Sequence, residues 1–549
     1  MNFYQKISKN LLNIYKSDIP FYTILIIIIT LRVILCAKTE IVGATADTEA
    51  LAQLTVHGFW KIEYSLYRPP VVPYLAYLLS FLAIPWRLFL DICLIAASIF
   101  CCLVLKKYTN KTLALCVLIL CLFNNYSIIS FTEFQREPFL FVEYLLIFSL
   151  IMKFIFRIDD NKFNSIDSIL LGLSAAFIIL TREGEEVFIA SGCFIFSFIY
   201  IFKNYKKFGP SCLIHKINES IIIPIFCVLF FCSATAITNY VMWDVPSYRG
   251  LFPYLSNFLT QVHHIESNDS SRYAPATRKS FEMAAQVSET FREFSAPILA
   301  SDKEAAPYIA ILRAHSSTFT NRQEIDPSRT IWALTVMLGV KYGMDEGLKV
   351  QKLKKAAQEI RYNTDKNNLI NKFILLPYPF DSHIENWISA FPEGFQETAK
   401  IMTVPTREEA GVRNINDYSP ELFDKALSRR DYLITDQFKS KMDTVRSYVA
   451  DKYTFILLTL AFISFISGLF QKMNKNIILI SGIMLTFIFA RLCIYSVIFV
   501  SVAPVLRYVV FFSPIVGIFI LLTSTTVGSL VREAALTLYR RLQNKQAST

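Results

Sequence analysis

The chain has 549 residues, 54% of them hydrophobic with 47 Phe, and a mean hydropathy of +0.41, values that place it in a membrane rather than among soluble globular proteins. A net charge of +11 could suggest a nucleic-acid binder. The Lys and Arg residues instead gather in short clusters between apolar runs, as the positive-inside rule requires of a polytopic protein, so no nucleic-acid partner is expected.

Apolar runs of spanning length fall at residues 21–37, 88–105, 112–131, 138–155, 165–181, 187–203, 219–240, 453–470, 476–500 and 509–527. The first carries no small-x-small cleavage site and reads as a helix that stays in the membrane. Basic clusters follow alternate spans: Lys106, Lys107 and Lys111; Lys153, Arg157 and Lys162; Lys203, Lys206, Lys207 and Lys216; Lys472 and Lys475. With Lys6, Lys9 and Lys16 at the start and Arg532, Arg540, Arg541 and Lys545 at the end, they predict ten transmembrane helices with both termini in the cytoplasm. The run Val71–Pro85 must then not cross, and lies as a short helix at the outer surface or dips into it. The expected organisation has three parts. A transmembrane module covers 1–240, with its first outer loop at 38–87. An extracytoplasmic domain, mainly helical, covers 241–452, and a second transmembrane module with a cytoplasmic tail covers 453–549. All eleven cysteines lie in or near apolar segments and none falls between Val241 and Lys452, so the outer domain holds without disulfides.

This topology sends a set of charged side chains to one face. In the first outer loop Asp47 and Glu49 stand just beyond the first span, followed by His57-Gly58-Phe59-Trp60 and by Arg68-Pro69-Pro70. Asp47 suits a helix N-cap as well as a general base, and Arg68 suits a snorkelling side chain as well as an anion ligand. The next outer turn holds Glu133, Arg136 and Glu137, with Pro138 fitting the first turn of the following helix. The third holds Arg182 and Glu183, with Glu185 and Glu186 read as solvated surface acids. Arg507 closes the set near the last span. Arg491 lies inside an apolar run, where insertion costs about 2.5–3.5 kcal/mol, so it should face a polar cavity with a partner. Carboxylates beside arginines at a membrane mouth suit an enzyme that deprotonates a hydroxyl next to a lipid phosphate. No Gly-rich phosphate loop, Cys/His metal spacing or internal repeat is present in the sequence.

The first outer loop resembles that of the GT-C membrane glycosyltransferases, in the branch of the protein O-mannosyltransferases and the lipid A aminoarabinose transferase. Asp47 matches the first acid of that branch's Asp-Glu pair, and Glu49 stands one place later than the second. Gly58-Phe59-Trp60 matches its Gly-aromatic step, and Arg68 stands where the branch has Lys before Pro-Pro. Glu133 and Glu137 lie in the loop where it carries an aspartate. Pro504-Val505-Leu506-Arg507-Tyr508, with Pro514 following, is similar to its Arg-Tyr…Pro segment. The resemblance runs in order through about 20–200 and 475–527 and leaves 241–452 unmatched.

The resemblance implies an inverting glycosyltransferase that takes its sugar from a polyprenyl-phosphate carrier at the outer face. The acceptor stays open between a glycan, a lipid and a protein, and the expected setting is a bacterial inner membrane with the active site towards the periplasm. Asp47, Glu49, Glu133 and Glu137 are then the catalytic acids, with Asp47 as base. Arg68, Arg136, Arg182, Glu183, Arg491 and Arg507 bind substrate. No cofactor is implied; a divalent metal is compatible with the acids without being required. The alternatives are an O-antigen-type ligase or polymerase using a lipid-diphosphate glycan, and a transporter or flippase, which would place its polar groups near the bilayer midplane.

Overall fold

A computed structural model of the chain describes residues 18–35, 43–44, 69–129, 136–157, 165–182, 185–210, 213–243, 436–502 and 511–547, with short pieces between 248 and 414, of which 288–299 is the longest. Helix α1 (Ile19–Leu35) is followed by a two-residue strand β1 (Gly43–Ala44), α2 (Val71–Phe81), α3 (Trp86–Tyr108), α4 (Lys111–Phe123) and α5 (Asn125–Ile129). Then come α6 (Glu137–Phe156), α7 (Ser165–Thr181), α8 (Glu185–Phe208), α9 (Leu213–Ile217), a π-helical turn at Asn218–Ile222 and α10 (Ile223–Trp243). After α11 (Glu289–Leu299) and strand β2 (Arg413–Asn414), the chain closes with α12 (Asp436–Asp451), α13 (Tyr453–Leu469), α14 (Lys475–Val502) and α15 (Ser513–Ala547).

The protein is a multi-pass, α-helical membrane protein, and each of the ten apolar runs contains helix. The count of ten full spans is a different matter. Among the described residues six helices are long and apolar enough to cross a membrane, or seven if α12 and α13, bent by 59° about Lys452, form one span. Helices α1 and α7, of 17 residues each, extend about 25 Å and α4, of 13 residues, about 20 Å, short of a hydrocarbon core of about 30 Å. The run at 112–131 breaks because Asn124 leaves helical geometry. Its amide nitrogen donates to the carbonyls of Leu120 and Cys121, while its Oδ1 accepts from the Ser127 amide. The short helix expected from Val71 is present as α2, which ends at Phe81.

Helix α6 is the centre of the bundle. Its residues are apolar all round, and nearly every side chain is buried against α3, α7, α8 and α14. Helix α10, by contrast, turns Ile225, Phe226, Leu229, Phe230 and Ile237 outwards. Successive long helices run up and down, so charges sort by end. At one end Lys106 and Lys111 pair with Asp18 at 2.9 and 3.0 Å, and Lys153 and Arg157 pair with Asp167 at 2.6 and 3.2 Å. Hydrogen bonds from Lys106 and then Lys111 hold the Asp18 carboxyl below its usual range. Lys206, Lys207 and Lys216 belong to the same basic end.

The opposite end gathers the last turn of α1, the first turns of α3, α6 and α8, and the ends of α4 and α7. Two contacts tie later parts of the chain to it. β1 pairs antiparallel with β2, Gly43 opposite Asn414 and Ala44 opposite Arg413. Arg446 of α12 donates to the Leu35 carbonyl at 3.0 Å from Nε and 2.7 Å from Nη2. Most of the segment expected as a separate 241–452 domain lies outside the described residues; α10 runs on to Trp243, and α11 and α12 are helical as expected of that segment.

Candidate active site

Arg491 lies well inside α14 and is 1% exposed. A guanidinium at that depth needs an anion, and α8 supplies it: Glu185, the first residue of α8 and 0% exposed, accepts from Arg491 Nη2. Tyr144 of α6 joins them, its hydroxyl donating to Glu185 Oε2 at 2.5 Å and accepting from Arg491 Nη2 at 3.2 Å. Arg182, one residue past the end of α7, brings its Nη1 to 4.0 Å from Glu185 Oε1. Two guanidinium groups and a phenol therefore converge on one carboxylate contributed by a neighbouring helix.

Rings wall the cluster. The Arg491 guanidinium carbon lies 4.5 Å from the Phe188 ring centre, 4.7 Å from those of Phe511 and Phe512, and 5.3 Å from that of Tyr144. Phe511 also faces Arg182 at 5.9 Å. Aromatic faces attract the cation while excluding water, which strengthens every charge interaction inside. The close approach of α8 and α14 depends on Gly192: a Cβ there would fall 1.7 Å from Phe487 Cζ, so only glycine lets Phe487 sit against α8 one turn below Arg491. Beside the cluster, Glu143 of α6 is buried; its Oε1 accepts from the Thr181 hydroxyl at 3.0 Å, and its Oε2 has no hydrogen-bond partner among the described residues.

Glu137 opens α6, about 9 Å along the helix from Glu143, with Pro138 in the first turn as expected. Arg136 precedes it, and both are buried. Of the residues singled out from sequence, the structure therefore brings Arg182 and Arg491 together around Glu185, and sets Arg136 and Glu137 at the same end of the bundle. Asp47, Glu49, His57, Arg68, Glu133, Glu183 and Arg507 lie outside the described residues.

Glu185 corrects the sequence reading. A run of acids beyond a span looks solvated, yet this one is the counter-ion of the deepest arginine. Its neighbour Glu186 is half-buried and accepts from the Tyr248 hydroxyl at 3.1 Å. Sequence reasoning also passed over Tyr144, Glu143 and a second buried group formed by Arg32, Arg87 and Asp91. Arg32 donates to Asp91 Oδ1 at 2.7 Å and Arg87 Nε lies 2.9 Å from Asp91 Oδ2. The signal that marked Arg491, a charge inside an apolar run, marks Arg32, Asp91 and Glu143 as well. Tyr144 has no such mark, because tyrosine is ordinary in a membrane helix.

Chemically, the cluster is a preorganised anion site in a dry surrounding, with a buried carboxylate filling it and a second carboxyl alongside. Among the described residues no three His, Cys, Asp or Glu side chains come together as a metal group.

No protein-family model matches the sequence, and no curated protein does. Two solved structures are similar to the chain. One is ArnT from Cupriavidus metallidurans in the apo state, 11% identical over 93% of this chain and 78% of that one, with a TM-score of 0.33. The other is the same enzyme bound to undecaprenyl phosphate, 11% identical over 93% and 77%, with a TM-score of 0.31.

Proposed function

We propose that the protein is a membrane glycosyltransferase that takes a sugar from a polyprenyl-phosphate carrier and inverts the anomeric centre. The active face is the end of the bundle opposite the basic clusters, which the positive-inside rule places outside the cytoplasm. One observation carries this reading: Arg491, Arg182 and the Tyr144 hydroxyl converge on a single buried anion, Glu185. Planar guanidinium groups match phosphate oxygens bidentately. Held in a dry site, they stabilise the charge that builds on the departing lipid phosphate without reorganising. In this reading Arg68, Arg136, Glu183 and Arg507 complete the substrate contacts. Asp47 removes the proton from the acceptor hydroxyl as the hydroxyl oxygen bonds to the anomeric carbon and the lipid phosphate leaves. Glu49, Glu133 and Glu137 are the other acids within the proposed site. The resemblance of the first outer loop to the GT-C transferases supports the same assignment, and the segment 241–452 is proposed to meet the acceptor.

The test is transfer of labelled sugar from polyprenyl-phosphate hexose and pentose donors in membranes containing the full chain. Asp47→Asn keeps a helix-capping side chain and removes the base, so donor binding should persist while turnover falls by at least about 10²-fold. Near-normal turnover in Asp47→Asn moves the base to Glu49, Glu133 or Glu137. Absence of transfer from every polyprenyl-phosphate donor, with transfer from a lipid-diphosphate glycan, replaces the reading by a ligase or polymerase.

A further inference from the structure

Arg32 is fully buried in the last turn of α1, a helix that as a simple anchor would need only apolar residues. Besides the bond to Asp91, its Nη1 donates to the Leu122 carbonyl at 2.8 Å and its Nη2 to the Ser127 carbonyl at 3.2 Å. Both carbonyls stand near helix ends, where acceptors are open to side-chain donors: Leu122 in the last turn of α4 and Ser127 in the five-residue α5. The Ser127 hydroxyl also donates to the Leu122 carbonyl at 3.2 Å. The guanidinium thus closes two helix ends, while Asp91, in the second turn of α3, joins it to Arg87. Arg446 closes α1 in the same way through the Leu35 carbonyl.

The same helix ends pack on the start of α6. Tyr126, beside Ser127, lies edge-to-face on Phe141 with ring centres 6.2 Å apart. Trp86, beside Arg87, and Phe89 lie 6.4 and 6.1 Å from Phe139. Phe139 and Phe141 sit within two turns of Glu143 and Tyr144. A shift of α5 or of the start of α3 would therefore rotate or translate the part of α6 that presents Tyr144 to Glu185 and Arg491.

We infer that Arg32, acting through Asp91 and the capped ends of α4 and α5, is a positioning residue for the Tyr144–Glu185–Arg491 cluster. The inference rests on the transferase reading for its kinetic consequence and on the contacts above for its structural one. Arg32→Lys keeps the charge and loses the forked donor geometry. In the full chain in lipid nanodiscs, Arg32→Lys and Tyr144→Phe should each lower kcat about tenfold with the donor KM little changed. The double variant should then be no slower than the slower single, since both losses pass through one contact. Amide exchange should rise at residues 125–129 and 137–145 and stay unchanged in α13 and α15. Asp91→Asn, which keeps an acceptor oxygen for Arg32, carries the same test if Arg32→Lys does not fold. Normal kcat and normal exchange would overturn the inference. So would single losses that multiply, or exchange rising throughout the bundle, because both describe a merely stabilising residue. If the wild type transfers no sugar while exchange still rises at 125–129 and 137–145 alone, the transferase reading fails and the positioning stands.

Discussion

Removing Arg491 alone leaves the Glu185 carboxylate buried without its strongest partner, and breaking a buried ion pair in this way typically costs about 3–5 kcal/mol. Replacing both charges by neutral groups of similar size is far milder. Arg491→Ala should therefore lower the thermal unfolding midpoint of the detergent-solubilised protein markedly. The double variant Arg491→Met, Glu185→Gln should regain at least half of that loss. Neither should bind polyprenyl monophosphate as the wild type does, and the two readouts together separate stability from ligand binding. An Arg491→Ala protein that is as stable as wild type would contradict the buried pair. At this scale the sequence marks residues better than it marks partners. Arg491 is conspicuous because hydrocarbon is so unfavourable for a charge. Its counter-ion comes from a helix start 306 positions away in sequence, in a run of acids that looks solvated. Only packing decides that Glu185 turns inwards.

Helices α13 and α15 cross closely. A Cβ on Gly468 would fall 2.2 Å from the Thr525 carbonyl oxygen, and one on Gly528 would fall 2.2 Å from that of Phe465. Small residues let the two backbones meet, and Ser529 then donates to the Gly468 carbonyl at 3.2 Å. Gly468→Ala and Gly528→Ala should each cost about 1–3 kcal/mol, the usual penalty for overpacking. Gly482→Ala in α14 meets nothing within 4 Å and should be neutral or should stabilise by up to about 1 kcal/mol. Equal effects at the three positions in a thermal unfolding series would dismiss the crossing as the cause. A second element contact is pH-dependent. Glu359 accepts from the Ser288 hydroxyl at 2.7 Å and from the Thr290 amide and hydroxyl at 3.0 and 2.9 Å, fastening the start of α11. Burial pushes its carboxyl up, and these bonds with nearby Lys355 outweigh it, leaving the group below its usual range. A lowered folded-state value means that the docking is fully present above the unfolded carboxyl's value, about 4.3, and is lost as pH falls through the folded one. Protection of the amides at 288–293, taken relative to the intrinsic exchange rate at each pH, should therefore fall on acidification below about pH 4.3 in the wild type. Glu359→Gln should show that protection lowered already at pH 7. The helices themselves are legible in the sequence because apolar runs of this length have few alternatives. Their ends are less so: α4 stops at Asn124 through side-chain bonds to its own last carbonyls, and α15 continues as one helix from the apolar run into the basic residues up to Ala547. The pairing of β1 with β2 joins residues some 370 positions apart through two residues a side, too short for any periodic signal.

For the molecule as a whole, the sorting of charge between the two ends is the strongest statement that sequence and structure share. Lys106, Lys107, Lys111, Lys153, Arg157, Lys206 and Lys207 stand at helix ends on one side. The buried Arg32, Arg136, Arg182 and Arg491 belong to the other half, where each is engaged with protein groups rather than displayed. The positive-inside rule counts displayed basic residues close to span ends, so the first set, not the second, carries the expected orientation. A definite labelling pattern is expected. Lys107 is exposed at the basic end, and Lys441 is exposed on α12, whose Arg446 closes the far end of α1. Single cysteines at the two positions, in a background freed of the eleven native ones, should react with a membrane-impermeant maleimide from opposite sides of the membrane. Lys441→Cys should label in intact cells, as should Ser301→Cys within the 241–452 segment, and Lys107→Cys only after permeabilisation. Labelling of Lys107 and Lys441 from the same side would break the up-and-down arrangement. Opposite sides with the order reversed would leave the bundle intact and turn the Arg491–Glu185 cluster towards the cytoplasm, where a donor presented at the outer face could not reach it.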